Sequence, residues 1–337
     1  MAAAATTGRS ATFTERDVRK GVTEVIALET PFTSSVGADP APLETTPEWQ
    51  LKTFSSRTKD GVIEGYKPVS ADYQNNLANK AMLKGRFIKQ WRPVAVTKEM
   101  KLMGAQYNEG DPLAANIMDF TKVVYSDVEF FALSDDEAVA PSAGATASKG
   151  RGALRWLSNA NGRFTDTDTT PAAAYRTPTG SILVSKTNAS DVTESEIAAL
   201  ITSVAKTRRK TGMRFMGLCT PEMRDAFDGM SKTDKTLTST SYPVSRFNQK
   251  QGSIDREVTL YKSSNGSVEL STTFDLDSTA HFALLSPDLW KKAYAQGVKV
   301  GTENVSTQID ERVIDVIWLL KCLNPGANGK IITGATA

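Results

Sequence analysis

The feature that most constrains the fold is a long amphipathic pattern between Asp111 and Leu133. Asp111 is a suitable N-cap, and Pro112 suits the first helical position because its missing N–H would have no partner there. The apolar residues of the pattern recur every three or four positions: Leu113, Ile117, Phe120, Val124, Val128 and Phe131. This spacing predicts one helix of about 22 residues, roughly 33 Å long. Such a helix is better suited to a structural spine than to supporting a small pocket.

Elements of both kinds are predicted in the second half of the chain. Thr193 and Glu196 form a capping box that opens a helix with an apolar face. Another helix begins at Thr220-Pro221, and Ser264-Asn265-Gly266 indicates a hairpin turn. Strands are predicted at residues 215–219, 257–261, 267–271, 282–285 and 313–320. Helices and strands mixed in this order predict an α+β fold.

Between residues 48 and 98 the pattern changes to extended chain with little apolar mass. Trp49, Leu51 and Thr53 alternate with polar residues, a turn is expected at 59–61, and residues 62–66 alternate on the return. A second extended stretch runs from 82 to 96. An isolated two-stranded hairpin is only marginally stable in water. We therefore expect support from outside the hairpin, and the simplest source is a neighbouring subunit.

The N-terminal region predicts a small-residue arm followed by a short helix from Thr14 to about Glu29, because Pro31 disfavours helix at Thr30. One face of this helix carries Val18, Val22, Val25 and Ile26. The arm shows no secretory-signal pattern, and no run of about 18 apolar residues predicts a membrane span. Residues 135–179 are rich in small and polar residues and are expected to be loop-like.

The chemistry-bearing residues argue against an enzyme. The chain has one histidine, His281, in a strand-like run, which limits Ser-His-Asp, Cys-His and multi-histidine metal sites. Its two cysteines, Cys219 and Cys322, are expected to be buried free thiols, although a disulfide stays open. No C-x-x-C occurs, and we expect no catalytic residue, metal or cofactor. A hydrolase or transferase with a nonstandard site is the remaining enzyme alternative.

Three short segments resemble ligand-binding motifs without meeting their requirements. Residues 325–330 resemble part of a P-loop. However, Asn324 takes the first glycine position, and Ile331 follows the lysine where the motif requires Ser or Thr, so a turn between strands is expected. The acidic run 135–137 is interpreted as solvated. The basic run 208–210 is interpreted as the cationic end of a helix. With a net charge of +2, contact with a nucleic acid is expected to be weak and non-specific.

In the order of its segments the chain resembles the major capsid proteins of tailed bacteriophages with the HK97-type fold. Thr30-Pro31-Phe32 matches the family's turn before its extended loop, and Glu48-Trp49 follows it. The long helix ends in residues 128–133, as in the family. Arg151 to Leu157 resembles the family's arginine-glycine-leucine-tryptophan segment. Residues 193–227, a helix, a strand and then Thr-Pro-Glu-Met-Arg, complete the resemblance.

The resemblance implies an HK97-type capsid fold divided along the chain. The implied parts are an N-terminal arm at 1–47, an extended loop with its base strands at 48–98, a peripheral domain at 99–179 with a spine helix at about 111–134, an axial domain at 180–290, and C-terminal strands at 291–337 that return to the sheets. It also implies self-assembly into hexamers and pentamers of an icosahedral head that encloses double-stranded DNA, formed in the host cytoplasm. Portal and scaffolding proteins are implied partners.

The expected contacts between subunits are aromatic and apolar. The extended loop is expected to contribute Trp49, Phe54, Tyr66, Phe87 and Trp91, and the arm Phe13, Val18 and Phe32. Replacing Trp49 by alanine is accordingly expected to impair particle formation more than folding. Two alternatives within structural proteins stay open, a cellular nanocompartment shell of the same fold and a minor phage structural protein.

Overall fold

The computed structural model describes residues 29–40, 44, 46–53, 61, 63–67, 69–70, 79–106, 111–142, 145–183, 186–233, 247–249, 258–305 and 309–333. The α-helices of these residues are α1 (Pro31–Ser35), α2 (Lys98–Gln106), α3 (Pro112–Ala132), α4 (Ala153–Trp156), α5 (Glu194–Arg208) and α6 (Pro221–Thr233). The helix predicted from residue 14 to about 29 lies outside the described residues, apart from its last position. No helix in the described part of the chain is long and apolar enough to span a membrane.

The strands of the described residues form three sheets. The strands are β1 (Gly37–Asp39), β2 (Glu48–Thr53), β3 (Asn79–Lys84), β4 (Ile88–Thr97), β5 (Ile182–Leu183), β6 (Met213–Cys219), β7 (Phe247–Gln249), β8 (Val258–Ser263), β9 (Gly266–Thr272), β10 (Ala280–Leu285), β11 (Trp290–Val305), β12 (Ile309–Cys322) and β13 (Gly329–Ile332). Their orders are β1-β11-β12-β4, β5-β13-β10-β6-β9-β8-β7 and β2-β3.

The long helix α3 packs against the four-stranded sheet and confirms the predicted spine. The side chain of Asp111 accepts the N–H of Leu113 at 3.0 Å, and Pro112 occupies the first turn. The helix ends at Ala132, where the N–H of Leu133 bonds to the carbonyl of Glu129. Four residues of its predicted apolar stripe are buried, whereas Phe120 is 37% exposed; the buried residues are Leu113, Val124, Val128 and Phe131. The ring of Phe131 meets Trp318 of β12 edge to face.

The seven-stranded sheet carries α5 and α6 around a second apolar cluster. The capping box is present, and the N–H of Thr193 donates to Glu196 at 2.8 Å. The helix α5 ends at Arg208, the C-cap residue Arg209 is in the left-handed region with φ at 52°, and basic residues lie in the last turn as expected. The hairpin β8–β9 turns at Ser264-Asn265, and β6 pairs with β9 in parallel. The predicted strands and helices of this half are confirmed.

An irregular segment and the C-terminal strands connect the two large sheets. Residues 135–181 are mostly irregular among those described, with the short helix α4 and a few 3-10 turns, so the loop-like prediction is confirmed. The strand β12 belongs to the four-stranded sheet, whereas β13 lies in the seven-stranded sheet. Between them, residues 325–327 form one 3-10 turn, which confirms a turn in place of a phosphate-binding loop.

The partner predicted for strand β2 is wrong. It pairs antiparallel with β3, from Glu48 opposite Lys84 to Thr53 opposite Asn79, and not with residues 62–66. Near that predicted return strand the chain makes a turn, in which the N–H of Tyr66 donates to the carbonyl of Ile63. Alternation and a turn dipeptide are local signals that cannot choose between two return segments. The chosen register buries Trp49 and Leu83 together.

Candidate assembly surfaces

The two-stranded ribbon β2–β3 is held firmly at its root. The indole N–H of Trp49 donates to the carbonyl of Cys322 at 2.9 Å, and its ring lies 5.9 Å from that of Trp156. Leu83, opposite Trp49, is fully buried. A Cβ on Gly85 would lie only 2.6 Å from a Leu319 methyl carbon, so the chain needs glycine at this close approach. The root of the ribbon is therefore part of the subunit core.

Arg86 fixes the point where the ribbon joins strand β4. Its Nε donates to Asp166 at 2.5 Å and its Nη2 to Asp168 at 2.8 Å. The hydrogen bond to Asp166 raises the pKa of the guanidinium, although burial opposes this. Because Arg86 is buried, removing Asp166 would leave its guanidinium paired only with the exposed carboxylate of Asp168.

Further along the extended loop the apolar side chains turn outward. Ile63 is 83% exposed, and Tyr66, Val69 and Met82 are each about half exposed. Met82 precedes the buried Leu83, so within one residue the ribbon passes from core to surface, as strand alternation requires. The loop therefore combines a rigid root with an exposed apolar distal part.

The outer face of the four-stranded sheet carries the exposed Trp91. Gln90 and Arg92 of β4 bond to Asp127 of α3, so their side of the strand faces the spine helix. Trp91 points to the opposite side and is 55% exposed. Pro93 lies two positions on and has no N–H to offer, which disfavours the addition of another strand along β4. The face of this strand is a better contact surface than its edge.

Helix α1 is bound to the spine helix through one buried carboxylate. Glu129 accepts the N–H of Phe32 at 2.8 Å and the N–H of Thr33 at 2.7 Å. Burial raises the pKa of Glu129, and these hydrogen bonds oppose the rise. Lys292 contacts the carbonyl of Thr33, and burial lowers the pKa of its amine. Phe32 itself is completely buried against Trp290.

A charged cluster joins the end of α3 to the seven-stranded sheet. Arg151 pairs with Glu137, donates to the carbonyl of Thr169 at 3.0 Å and lies over the Trp156 ring. Asp135 pairs with Arg163. The interpretation of residues 135–137 as solvated is wrong for Asp135 and Glu137, whose side chains are about nine-tenths buried. Arginines distant in sequence cover them, and no local pattern shows this.

Lys330 completes that cluster from strand β13. Its ammonium donates to the carbonyl of Leu154 at 2.8 Å and lies 3.8 Å from Asp135. Burial, together with the nearby charges of Arg163 and Arg155, lowers the pKa of Lys330 from 10.5 to about 7. The lysine of the P-loop-like segment is therefore an internal residue of the sheet.

The remaining polar candidates occupy structural positions. The ring of His281 is 2.9 Å from the carbonyl of Lys186, and Cys219 and Cys322 are buried free thiols, as expected. Burial raises the pKa of both thiols. The described residues contain no group of three or more His, Cys, Asp or Glu side chains arranged to hold a metal ion.

A family model described as SU10 major capsid protein matches residues 5–336, nearly the whole chain. The chain belongs to this family of major capsid proteins. The expected family and the HK97-type fold class are thereby confirmed. As a major capsid protein, the chain is a structural component of the phage virion and associates with copies of itself in a shell.

Solved structures agree with the capsid protein in fold. The capsid of the cyanophage P-SCSP1u has a TM-score of 0.58 at 9% identity, with 98% of this chain and 94% of that chain covered. The capsid of a native GTA particle has a TM-score of 0.60 at 8% identity, covering 98% and 99%. The holo-SrpI encapsulin complex of Synechococcus elongatus PCC 7942 has a TM-score of 0.55 at 11% identity, covering 98% and 95%. No curated protein sequence matches this chain.

The structure separates the predicted contact residues of the capsid protein into three groups. Trp49 and Phe32 lie in the core of the subunit, against the expectation that they face a neighbour, because the root of the ribbon and the Glu129 carboxylate hold them there. Phe87 is half-buried and packs against the same core. Tyr66 and Trp91 are exposed. Phe13, Val18 and Phe54 lie outside the described residues.

Several exposed apolar residues are absent from the sequence-based candidates. Ile63, Val69 and Met82 of the loop region belong to this set, as do Met118, Tyr125 and Phe130 of the spine helix and Phe274 of the β9–β10 connection. The helix residues lie outside the buried stripe of α3, at positions that a helical projection could have shown. Met82 had no such signal, because its sidedness depends on the pairing of β2 with β3.

Proposed function

We propose that this capsid protein forms hexamers and pentamers that close an icosahedral head around double-stranded DNA. The observation that carries the proposal is the contrast within the extended loop. The root of the ribbon β2–β3 is anchored in the subunit core, whereas Ile63, Tyr66 and Met82 present apolar side chains to solvent. These side chains become buried if the loop lies across the next subunit.

The contact we propose joins the distal loop of one subunit to the outer sheet face of its neighbour. Ile63, Tyr66 and Met82 would supply the loop side, and Trp91 the sheet side. Burying one large apolar side chain is worth about 1.5–3 kcal/mol. Obligate interfaces bury on the order of 2,000–5,000 Å², so a few such side chains would act with many weaker contacts. Phe54, Phe13 and Val18 are proposed as further contacts.

The division of the chain into an arm, a loop and domains is part of the proposal. We assign residues 1–47 to an arm, 48–98 to the extended loop, 99–179 to a peripheral domain, 180–290 to an axial domain and 291–337 to strands that return to both. The placement of α3 on the sheet containing β11 and β12 supports this division, as does the placement of β13 beside β5 in the seven-stranded sheet.

Partners other than the capsid protein itself follow from this role. A portal and a separate scaffolding protein are proposed for assembly in the host cytoplasm. Contact with the packaged DNA is proposed to be weak and non-specific, because 40 basic and 38 acidic residues leave a net charge of only +2. We propose no catalytic activity, since the function resides in surfaces.

Electron microscopy of the purified protein tests the proposal. The wild-type protein is expected to form closed shells or capsomer rings, and a protein that stays monomeric at high concentration would overturn it. Ile63→Ser is expected to reduce shell yield strongly while leaving unfolding by urea unchanged. Glu64→Ser, at an exposed polar position of the same loop, is the matched control and should assemble normally.

A cellular nanocompartment shell is the second candidate, and the likeness to the encapsulin complex favours it. The family description favours the phage head. The contents of particles from the native source separate the two. Nuclease-protected DNA of uniform length supports the phage head, whereas particles that contain an enzyme cargo and no DNA support the nanocompartment.

A further inference from the structure

The direction in which the N-terminal arm meets the described part of the subunit is set by helix α1. The N–H groups at the start of α1, those of Phe32 and Thr33, point at Glu129 of the spine helix. At the other end of α1, the hydroxyl of Ser35 lies 3.3 Å from the sulfur of Met216 in β6. The chain therefore enters α1 at the end of this helix that faces the spine helix.

The spine helix has an exposed apolar flank in line with this point. Met118, Tyr125 and Glu129 are seven and four positions apart, which places them within a stripe of about 40° at 100° per residue. Met118 is 69% exposed and Tyr125 is 48% exposed, whereas Glu129 is already covered by α1. The helix ends at Ala132, so the flank extends from Glu129 only towards the N-terminus of α3.

The arm has the length and the pattern to cover this flank. Eleven helical positions separate Glu129 from Met118, about 17 Å along the axis. The helix predicted between residue 14 and residue 29 is at least as long. Its apolar residues Val22, Val25 and Ile26 lie four to eight positions before Thr30, within reach of Tyr125 and Met118 if the two helices run parallel.

We propose that residues 19–28 dock as a helix on the Met118–Tyr125 flank of the spine helix in the same subunit. The arm then continues past this flank, and Val18 and Phe13 lie at or beyond the beginning of α3, where a neighbour can contact them. The proposal extends the proposed function, because docking within the subunit would set the direction in which the arm leaves it. Electron microscopy of the same samples measures shell formation separately, so failure of the docking can be distinguished from failure of the proposed function.

Disulfide trapping in the full-length protein tests the docking. The native thiols of Cys219 and Cys322 are buried, so an engineered pair can be oxidised selectively. Val25→Cys with Tyr125→Cys is expected to give a reducible intramolecular disulfide of monomer size. Val25→Cys with Phe130→Cys is the matched control, because Phe130 is 62% exposed but rotated by about 140° around the same helix.

Three outcomes of trapping overturn the proposal. These are equal trapping with both partners, trapping at Phe130 alone, and a product of dimer size, which would place a neighbour's arm on the flank. If neither pair is trapped, cleavage by trypsin at Arg16, Arg19 and Lys20 decides. Tyr125→Asp is expected to speed this cleavage roughly tenfold or more, the effect of losing one buried large side chain, whereas Phe130→Asp is not. Equal rates in all three proteins overturn the docking.

Discussion

Trp49 and Trp91 lie in strands of the same extended region, yet the subunit places them in opposite environments. Trp49 is 9% exposed, bonds to the carbonyl of Cys322 and packs against Trp156. Trp91 is 55% exposed on the face of the sheet that turns away from the spine helix. The root of the loop thus belongs to the folding of one subunit, whereas the outer sheet face is available to the next.

This difference teaches that stability and assembly are carried by different residues of one region. A rigid root, held by Trp49, Leu83 and Arg86, fixes the direction in which the ribbon leaves the subunit. The distal apolar side chains can then meet a neighbour without each of them being ordered first by the subunit. The comparison predicts that variants of the two surfaces differ in which measurement they change.

Trp49→Ala is expected to have the largest effect on folding. It removes a large core side chain and leaves the Cys322 carbonyl without its donor, so the free energy of unfolding should fall by about 3–5 kcal/mol. Urea unfolding of the unassembled subunit measures this, with Trp91→Ala as the matched control. Wild-type stability combined with loss of shells would instead restore the expectation that Trp49 faces a neighbour.

The pH dependence of stability is expected to report on Lys330, in the cluster that joins the two sheets. Because its pKa falls to about 7 in the folded subunit and is 10.5 ordinarily, the unfolded chain binds more protons between these values. Stability should therefore rise with pH above about 7, by up to about 1.4 kcal/mol per pH unit from this group. Lys330→Met should abolish that contribution. Urea unfolding of the wild-type protein and of the variant from pH 7 to 9 measures this, as a difference in how the free energy of unfolding changes with pH. The same pH dependence in both proteins would contradict the lowered pKa of Lys330.

A smaller effect is expected at the point where the arm joins the subunit. Glu129→Gln replaces one of two acceptor oxygens by an amide donor, so either the Phe32 or the Thr33 N–H loses its partner. The expected cost is about 1–2 kcal/mol. Hydrogen exchange at residues 32 and 33 should accelerate more than exchange in α5. Uniform acceleration throughout the subunit would show that Glu129 stabilises the whole fold and not this junction.

The sequence predicted elements whose signals are local. The spine helix follows from Asp111, Pro112 and an apolar stripe, and α5 follows from the capping box at Thr193. These signals lie within one turn of the helix that they begin. The seven-stranded half of the fold was predictable for the same reason, since its hairpin turn and its strand and helix boundaries are marked by short motifs.

What the sequence did not reveal depends on contacts between distant residues. Strand β2 pairs with a segment that begins more than 25 residues after it ends, so its partner is decided by which register buries Trp49 with Leu83. The burial of Asp135 and Glu137 depends on Arg151, Arg163 and Lys330, which follow much later. The different fates of Trp49 and Trp91 are likewise non-local, because both are aromatic residues in polar extended segments.

The smallest effect on folding, and a large one on assembly, is expected for Trp91→Ser. The Trp91 side chain lies on the face of β4 that turns away from the spine helix, so it does not contribute to the packing of that helix. The free energy of unfolding should therefore change by about 0.5 kcal/mol or less. Shell yield measured by electron microscopy should nevertheless fall strongly, because the neighbour loses a large apolar anchor. Trp91→Phe retains an aromatic surface and should assemble. If the serine variant assembles as well as the wild-type protein, the outer sheet face is not part of the interface, and the loop must contact another surface of the neighbour.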